Sequence, residues 1–188
     1  MINALASGST VQKNVDVKLR NVSFTGTDTS GIVLSGSTVN GDVNFDADGI
    51  NVSSQSEFHV LNSGSANNLA VSLKNYIGKE WTFYGTNNSA VKGDLDLKIL
   101  GGSGTFANIY GTYSSGIYGH ASILIEGCIC SGAIMGSSSE CSFISRGSAK
   151  DGYTVDVAIK NCKVNGIVYG LSGVKQIYSL KLTMQDID

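Results

Sequence analysis

Apolar and polar residues alternate along this chain in short runs, and one such run returns seven times. Each copy carries three apolar residues at every second position, followed two positions later by Asn, Gly or Asp. The first four are Val15-Val17-Leu19 with Asn21, Val43-Phe45-Ala47 with Gly49, Leu69-Val71-Leu73 with Asn75, and Leu95-Leu97-Ile99 with Gly101. Ala121-Ile123-Ile125 with Gly127, Val155-Val157-Ile159 with Asn161, and Leu180-Leu182-Met184 with Asp186 complete the set. A period of two puts one set of side chains on one face of a strand and the intervening set on the other. Successive copies start 28, 26, 26, 26, 34 and 25 residues apart. An interval of this size with no helical period between copies predicts stacked β-coils, each burying its apolar face against its neighbours.

Registering the copies turns positions into columns. Asn21, Gly49, Asn75, Gly101, Gly127, Asn161 and Asp186 fall in one column. Gly tolerates left-handed backbone, and Asn or Asp also bonds the local backbone, so this column is a structural corner. A second short apolar segment follows it, as in Val22-Phe24, Ile50-Val52 and Cys128-Cys130. A third appears as Ile109-Tyr110-Gly111, Ile134-Met135-Gly136 and Val168-Tyr169-Gly170. The predicted fold is an all-β parallel β-helix, or β-solenoid, of about seven coils of roughly 26 residues with three short strands each. It forms a single domain over residues 1–188. A leucine-rich repeat would need a helical back to each unit, and a β-sandwich has no reason to keep the interval.

The outward positions test the register independently. The last one of each copy reads Arg20, Asp48, Lys74, Leu100, Glu126, Lys160, Gln185, so opposite charges meet on neighbouring strands. The 34-residue interval places an insertion of about eight residues within 136–152, a polar stretch that includes Arg146. Loops carried on a rigid scaffold are where binding residues concentrate.

Composition narrows the functional classes. The 188 residues include no proline, which suits strands paired on both edges, and only 15% are charged. A net charge of −2 without a basic cluster excludes a nucleic-acid footprint, and no apolar run is long enough to span a bilayer. The opening MINALASGST lacks the features of a signal peptide. Because repeats run to the last residues, the chain is expected to be a piece of a longer repeat protein.

The segment GDLDLKILGGSGTFANIYGTYSSGIYGHASILIEGCICSGAIMG at 93–136 resembles repeats of large secreted or cell-surface bacterial proteins. The matching elements are Gly93-Asp94-Leu95, Gly101-Gly102 and Ile109-Tyr110-Gly111, with Tyr169-Gly170 echoing the ending. Such regions are similar to right-handed parallel β-helices of adhesins, autotransporter passengers and pectate-lyase-like proteins. The resemblance implies architecture and an extracellular or cell-surface location, and carries over no catalytic residue.

Candidate chemistry is sparse. Asp46 with Asp48, and Asp94 with Asp96, each share a strand face, but they do not form the separated acid pair of a glycosidase or the ligand set of a calcium loop. Cys128, Cys130, Cys141 and Cys162 lack nearby histidines and read as buried reduced thiols, with disulfides the alternative and Cys141 reaching in from the insertion. No catalytic residue, metal site or cofactor is therefore assigned. Tyr110, Tyr113, Tyr118, Arg146 and Tyr169 remain as binding candidates. The expected role is a noncatalytic stalk or display surface contacting a surface glycan or protein. A β-helix polysaccharide lyase or hydrolase, and a solenoid that self-associates end to end, are the alternatives.

Overall fold

A computed structural model describes residues 4–5, 7–24, 31–52, 57–144 and 154–188. Among these there is no helix; strand makes up 65%, wound into a parallel β-solenoid of about six turns of roughly 26 residues. The seven copies of the motif bound those turns. They form one face, running Val15–Arg20, Val43–Asp48, Leu69–Lys74, Leu95–Leu100, Ala121–Glu126, the start of Val155–Val164, and Leu180–Ile187. Val15 pairs with Val43, Val43 with Leu69, Leu69 with Leu95, and so on to Leu180, the register that the apolar positions predict.

Each coil has two longer strand segments and two of only two residues. The second face is short (Ser23–Phe24, Asn51–Val52, Ile129–Cys130), as is the fourth (Thr10–Val11, Thr38–Val39, Ser65–Ala66, Ala90–Val91, Gly116–Ile117, Ser142–Phe143). The third includes Gly31–Ser35, Glu57–Asn62, Ile134–Ser138 and Val168–Leu171, and takes the later parts of Ile77–Asn87 and Thr105–Tyr113. The expected three strands per coil are joined by this extra two-residue segment, too short to show an alternation in sequence.

Alternation fixes the interior. Val43, Phe45, Ala47, Leu95, Leu97, Ile99, Ala121, Ile123 and Ile125 are all buried, while the residues between them face solvent. Aromatic rings fill the first half of the core: Tyr76, Trp81 and Phe106 lie 4.2–6.0 Å apart by centroid, and Phe58 stacks on Phe83 at 6.1 Å. Gly102 leaves room for this, because a Cβ there would strike the Tyr76 backbone.

Two polar ladders run up the coil. Asn14, Asp42, Asn68, Asp94 and His120 immediately precede successive first-face strands. The N–H groups of Asp42, Asp94 and His120 donate to the side-chain oxygens of Asn14, Asn68 and Asp94 at 3.0, 2.7 and 2.8 Å. Asn68 N donates to Asp42 Oδ1 at 3.3 Å. This is the physical content of the Gly-Asp-aliphatic opening. The second ladder is internal: Ser89 N donates to Ser115 Oγ at 3.2 Å, and Ser115 N to Cys141 Sγ at 3.4 Å. Cys141 therefore substitutes for a ladder serine in a regular coil and does not reach in from an insertion.

The insertion itself is narrower than 136–152. Ile134–Ser138 and Ser142–Phe143 pair in register with the preceding coil. Ala121 follows Gly116 by five residues, whereas Val155 follows Ser142 by thirteen. The additional length thus lies between Ile144 and Thr154, and Arg146 falls outside the described residues.

Candidate functional site

The third face carries a column of outward side chains: His59, Tyr84, Tyr110, Met135 and Tyr169, in that order along the stack. His59 stacks on Tyr84 at 4.5 Å and 2°, and Tyr84 on Tyr110 at 5.0 Å and 17°. Tyr113, in the column of Asn87 and Ser138, closes edge-on against Tyr84 at 5.7 Å and Tyr110 at 5.5 Å. The local reason is the glycine after the tyrosine. A Cβ on Gly136 would lie 2.5 Å from Gly170 O and 2.6 Å from Val157 Cγ1, while Gly85 and Gly111 sit under Leu97 and Ile123. These glycines let first-face side chains press against the third-face backbone, and the side chains before them and before Gly170, namely Tyr84, Tyr110, Met135 and Tyr169, take the outward position.

Burial among the rings pushes the Tyr84 hydroxyl up to about 12 and raises Tyr110 as well. His59 is buried against Tyr84, and this desolvation lowers its pKa despite a 3.1 Å contact from Nε2 to Glu57 Oε2. The lowered His59 and the raised Tyr84 and Tyr110 thus all favour their uncharged forms. With stacked faces covering one another, the strip offers ring edges and hydroxyl groups.

Of the candidates read from sequence, Tyr110, Tyr113 and Tyr169 share this strip. Tyr118 is 47% exposed after the fourth-face segment Gly116–Ile117 and is not part of the stack. Tyr84 and His59 join the strip in the structure. Tyr84-Gly85 repeats the Tyr-Gly ending, and its distance of 15 residues from Leu69 matches that of Tyr110 from Leu95. Corner residues Asn21, Asn75, Asn161 and Asp186 have φ of 50–51°, and Gly49 and Gly127 have 69° and 67°. Gly101 stands apart: its constraint is close approach to the Gly127 backbone.

A shallow groove of ≈ 290 Å³ lies on the first face, lined by Asp94, Asp96, Lys98, His120, Ser122 and Asp156. Its carboxylates are engaged. Asp96 pairs with Lys98 at 2.9 Å, Asp156 with Lys181 at 3.3 Å, and Asp94 accepts from the ladder. Neighbouring charges on the same face behave likewise: Lys74 meets Asp48 at 3.5 Å, and Arg20 pairs with Asp46 rather than with its column neighbour. Glu126 takes a hydrogen bond from Asn161 at 3.3 Å.

All four cysteines are free and buried. Ile129 pairs with Lys163, so Cys128 and Cys162 are neighbours in one column. Their mutual contact, with burial, pushes Cys128 up, and the same contact lowers Cys162. Burial raises Cys130 to about 11. Among the described residues no group of three or more His, Cys, Asp or Glu is arranged to hold a metal ion, and no helix is long and apolar enough to cross a membrane.

The fold and the strip define the chain as a β-solenoid with an aromatic ridge. No protein-family model matches it, and comparisons with curated proteins and with solved structures find no significant similarity.

Proposed function

We propose that this chain is a noncatalytic β-helix segment of an extracellular or cell-surface protein, acting as a rigid spacer whose third face contacts a surface glycan or protein. The observation that carries the reading is the ridge from His59 to Tyr169, in line with the stack axis. An extended ligand laid along the rod meets one side chain per coil from Tyr84 to Tyr169, while His59 backs the Tyr84 ring. Hydroxyl groups from Tyr84, Tyr110 and Tyr113 are available to polar partners. Aromatic residues are enriched where one surface both excludes water and donates hydrogen bonds. Location rests on the resemblance of 93–136 to bacterial surface repeats.

The engaged carboxylates of the first-face groove support the noncatalytic part. A glycoside hydrolase needs one acid free to donate a proton and a second free to attack or activate water. The test is a glycan and cell-surface binding screen with the 188-residue chain, repeated with Tyr169→Ser and Tyr110→Ser. Binding that falls about tenfold or more in both variants supports the ridge. Binding unchanged by both, or turnover of acidic polysaccharides abolished by Asp96→Asn, overturns it.

A further inference from the structure

The two ends of the first face are complementary. At one end Leu180–Ile187 pairs only with Val155–Val164 among the described strands, leaving its other edge open. Its inward side chains are uncovered: Leu182 is 45% and Met184 44% exposed, where Leu97 and Ile99 in the same columns are fully buried. At the other end Val15–Arg20 pairs only with Val43–Asp48 among the described strands, and Val15 and Val17 are half-buried. An open, apolar strand edge is a template for another strand. This one has no proline, and Lys181 is the charge on its outward row before the corner.

We infer that this edge is a docking surface for a second copy of the chain, added head to tail so that Val15–Arg20 continues the first face beyond Leu180–Ile187. In the register that every first-face pair keeps, Leu180, Leu182 and Met184 meet Val15, Val17 and Leu19. The outward rows then set Lys181 against Asp16, Thr183 against Lys18 and Gln185 against Arg20. One pair is oppositely charged and none is like-charged, the same complementarity that Asp156 and Lys181 show within the chain at 3.3 Å. The corners also coincide, since Asp186 and Asn21 both have φ of 51°. A tail-to-tail pairing would instead run two copies of Leu180–Ile187 antiparallel, against the parallel pairing found throughout the stack. A heterologous contact of this kind propagates and does not close at a dimer.

The test uses two variants, each blocking one end: Val17→Lys and Leu182→Lys, with circular dichroism confirming that both retain β-structure. Sedimentation of the wild-type chain should show mass rising with concentration through multiples of 19.6 kDa. Each variant alone should remain monomeric, and an equimolar mixture should give a dimer and nothing larger, because one good end of each kind survives. Dimerisation of Val17→Lys alone would mean tail-to-tail contact, and of Leu182→Lys alone head-to-head contact; either overturns the inference. A wild-type chain monomeric at several hundred micromolar overturns it too, and leaves the edge for a further coil of a longer protein. Should Val17→Lys not fold, Asp16→Lys, which sets two lysines against each other at the junction, should weaken association at least about tenfold.

Discussion

Leu95–Leu100 and Leu180–Ile187 carry the same motif in the same register, yet they are physically different objects. The middle copy has a coil on either side, and Leu95, Leu97 and Ile99 are at most 1% exposed. The end copy has one neighbour among the described strands, and its Leu182 and Met184 are nearly half exposed. Burial in a solenoid is thus a property of the neighbouring coil. An alternating run encodes which side chains face inward, while their energetic worth is set by what is stacked above and below. The comparison also separates two kinds of surface: the third-face ridge, where His59, Tyr84, Tyr110 and Tyr113 cover one another, and the open edge, whose apolar row is covered by nothing described.

The largest difference between the two copies should come from truncating the same column. Leu97→Ala leaves a cavity beneath Gly85 and should destabilise by about 2–5 kcal/mol. Leu182→Ala removes a side chain that can already reach water, and should cost about 1 kcal/mol or less. Urea unfolding of the dilute chain measures both, and equal losses would break the comparison. Glycine substitutions come next. Gly136→Ala sets a methyl against Gly170 O and the buried Val157 side chain, neither of which has room to yield, and should cost about 1–3 kcal/mol. At Gly170 the nearest atoms belong only to the half-exposed Leu182 side chain, so Gly170→Ala should be close to neutral.

The register of the first face was legible because its strands have about six positions, enough for alternation and corner to agree. Its charge column was legible only in part: Lys74 meets Asp48, but Arg20 reaches Asp46 and Glu126 takes a hydrogen bond from Asn161. The fourth face was not legible, because pairs such as Gly116–Ile117 have no period to detect. That gap left the insertion with wide bounds: with Ser142–Phe143 unrecognised, they reached back to 136 and took in Cys141, which occupies a ladder position. The ridge was half legible. Tyr110, Tyr113 and Tyr169 stand out by composition, but their partnership depends on register across third-face strands that carry a bulge between Lys79 and Thr82. His59 was missed for a related reason: its neighbours Val60 and Leu61 are both buried, so alternation fails beside it.

Acid should separate the coils joined through Asp42 and Asp48 from the middle of the stack, with the smallest effect of the three. The carboxylates of Asp42 and Asp48 are lowered chiefly by side-chain hydrogen bonds from the next coil, from Asn67 and Asn75 respectively, at 2.9 Å each. A carboxylate whose pKa falls on folding stabilises the native state above its unfolded pKa, near 3.8, and loses that contribution as pH drops through the folded value. His59 is also lowered, so the unfolded chain takes up its proton first as pH falls below about 6.5, which favours unfolding in that earlier window. Stability should therefore decline in two stages, the first setting in below about pH 6.5 and the second below about pH 4. His59→Phe should remove the first stage, since phenylalanine keeps the stack on Tyr84 without a titrating group. Asp42→Asn should flatten the second by leaving less charge to neutralise. Hydrogen exchange resolved by strand gives the sharper reading: the coils joined at Asp42 and Asp48 should lose protection below pH 4 before Leu95–Leu100 does. Uniform loss along the rod would mean that these contacts do not govern how neighbouring coils hold together.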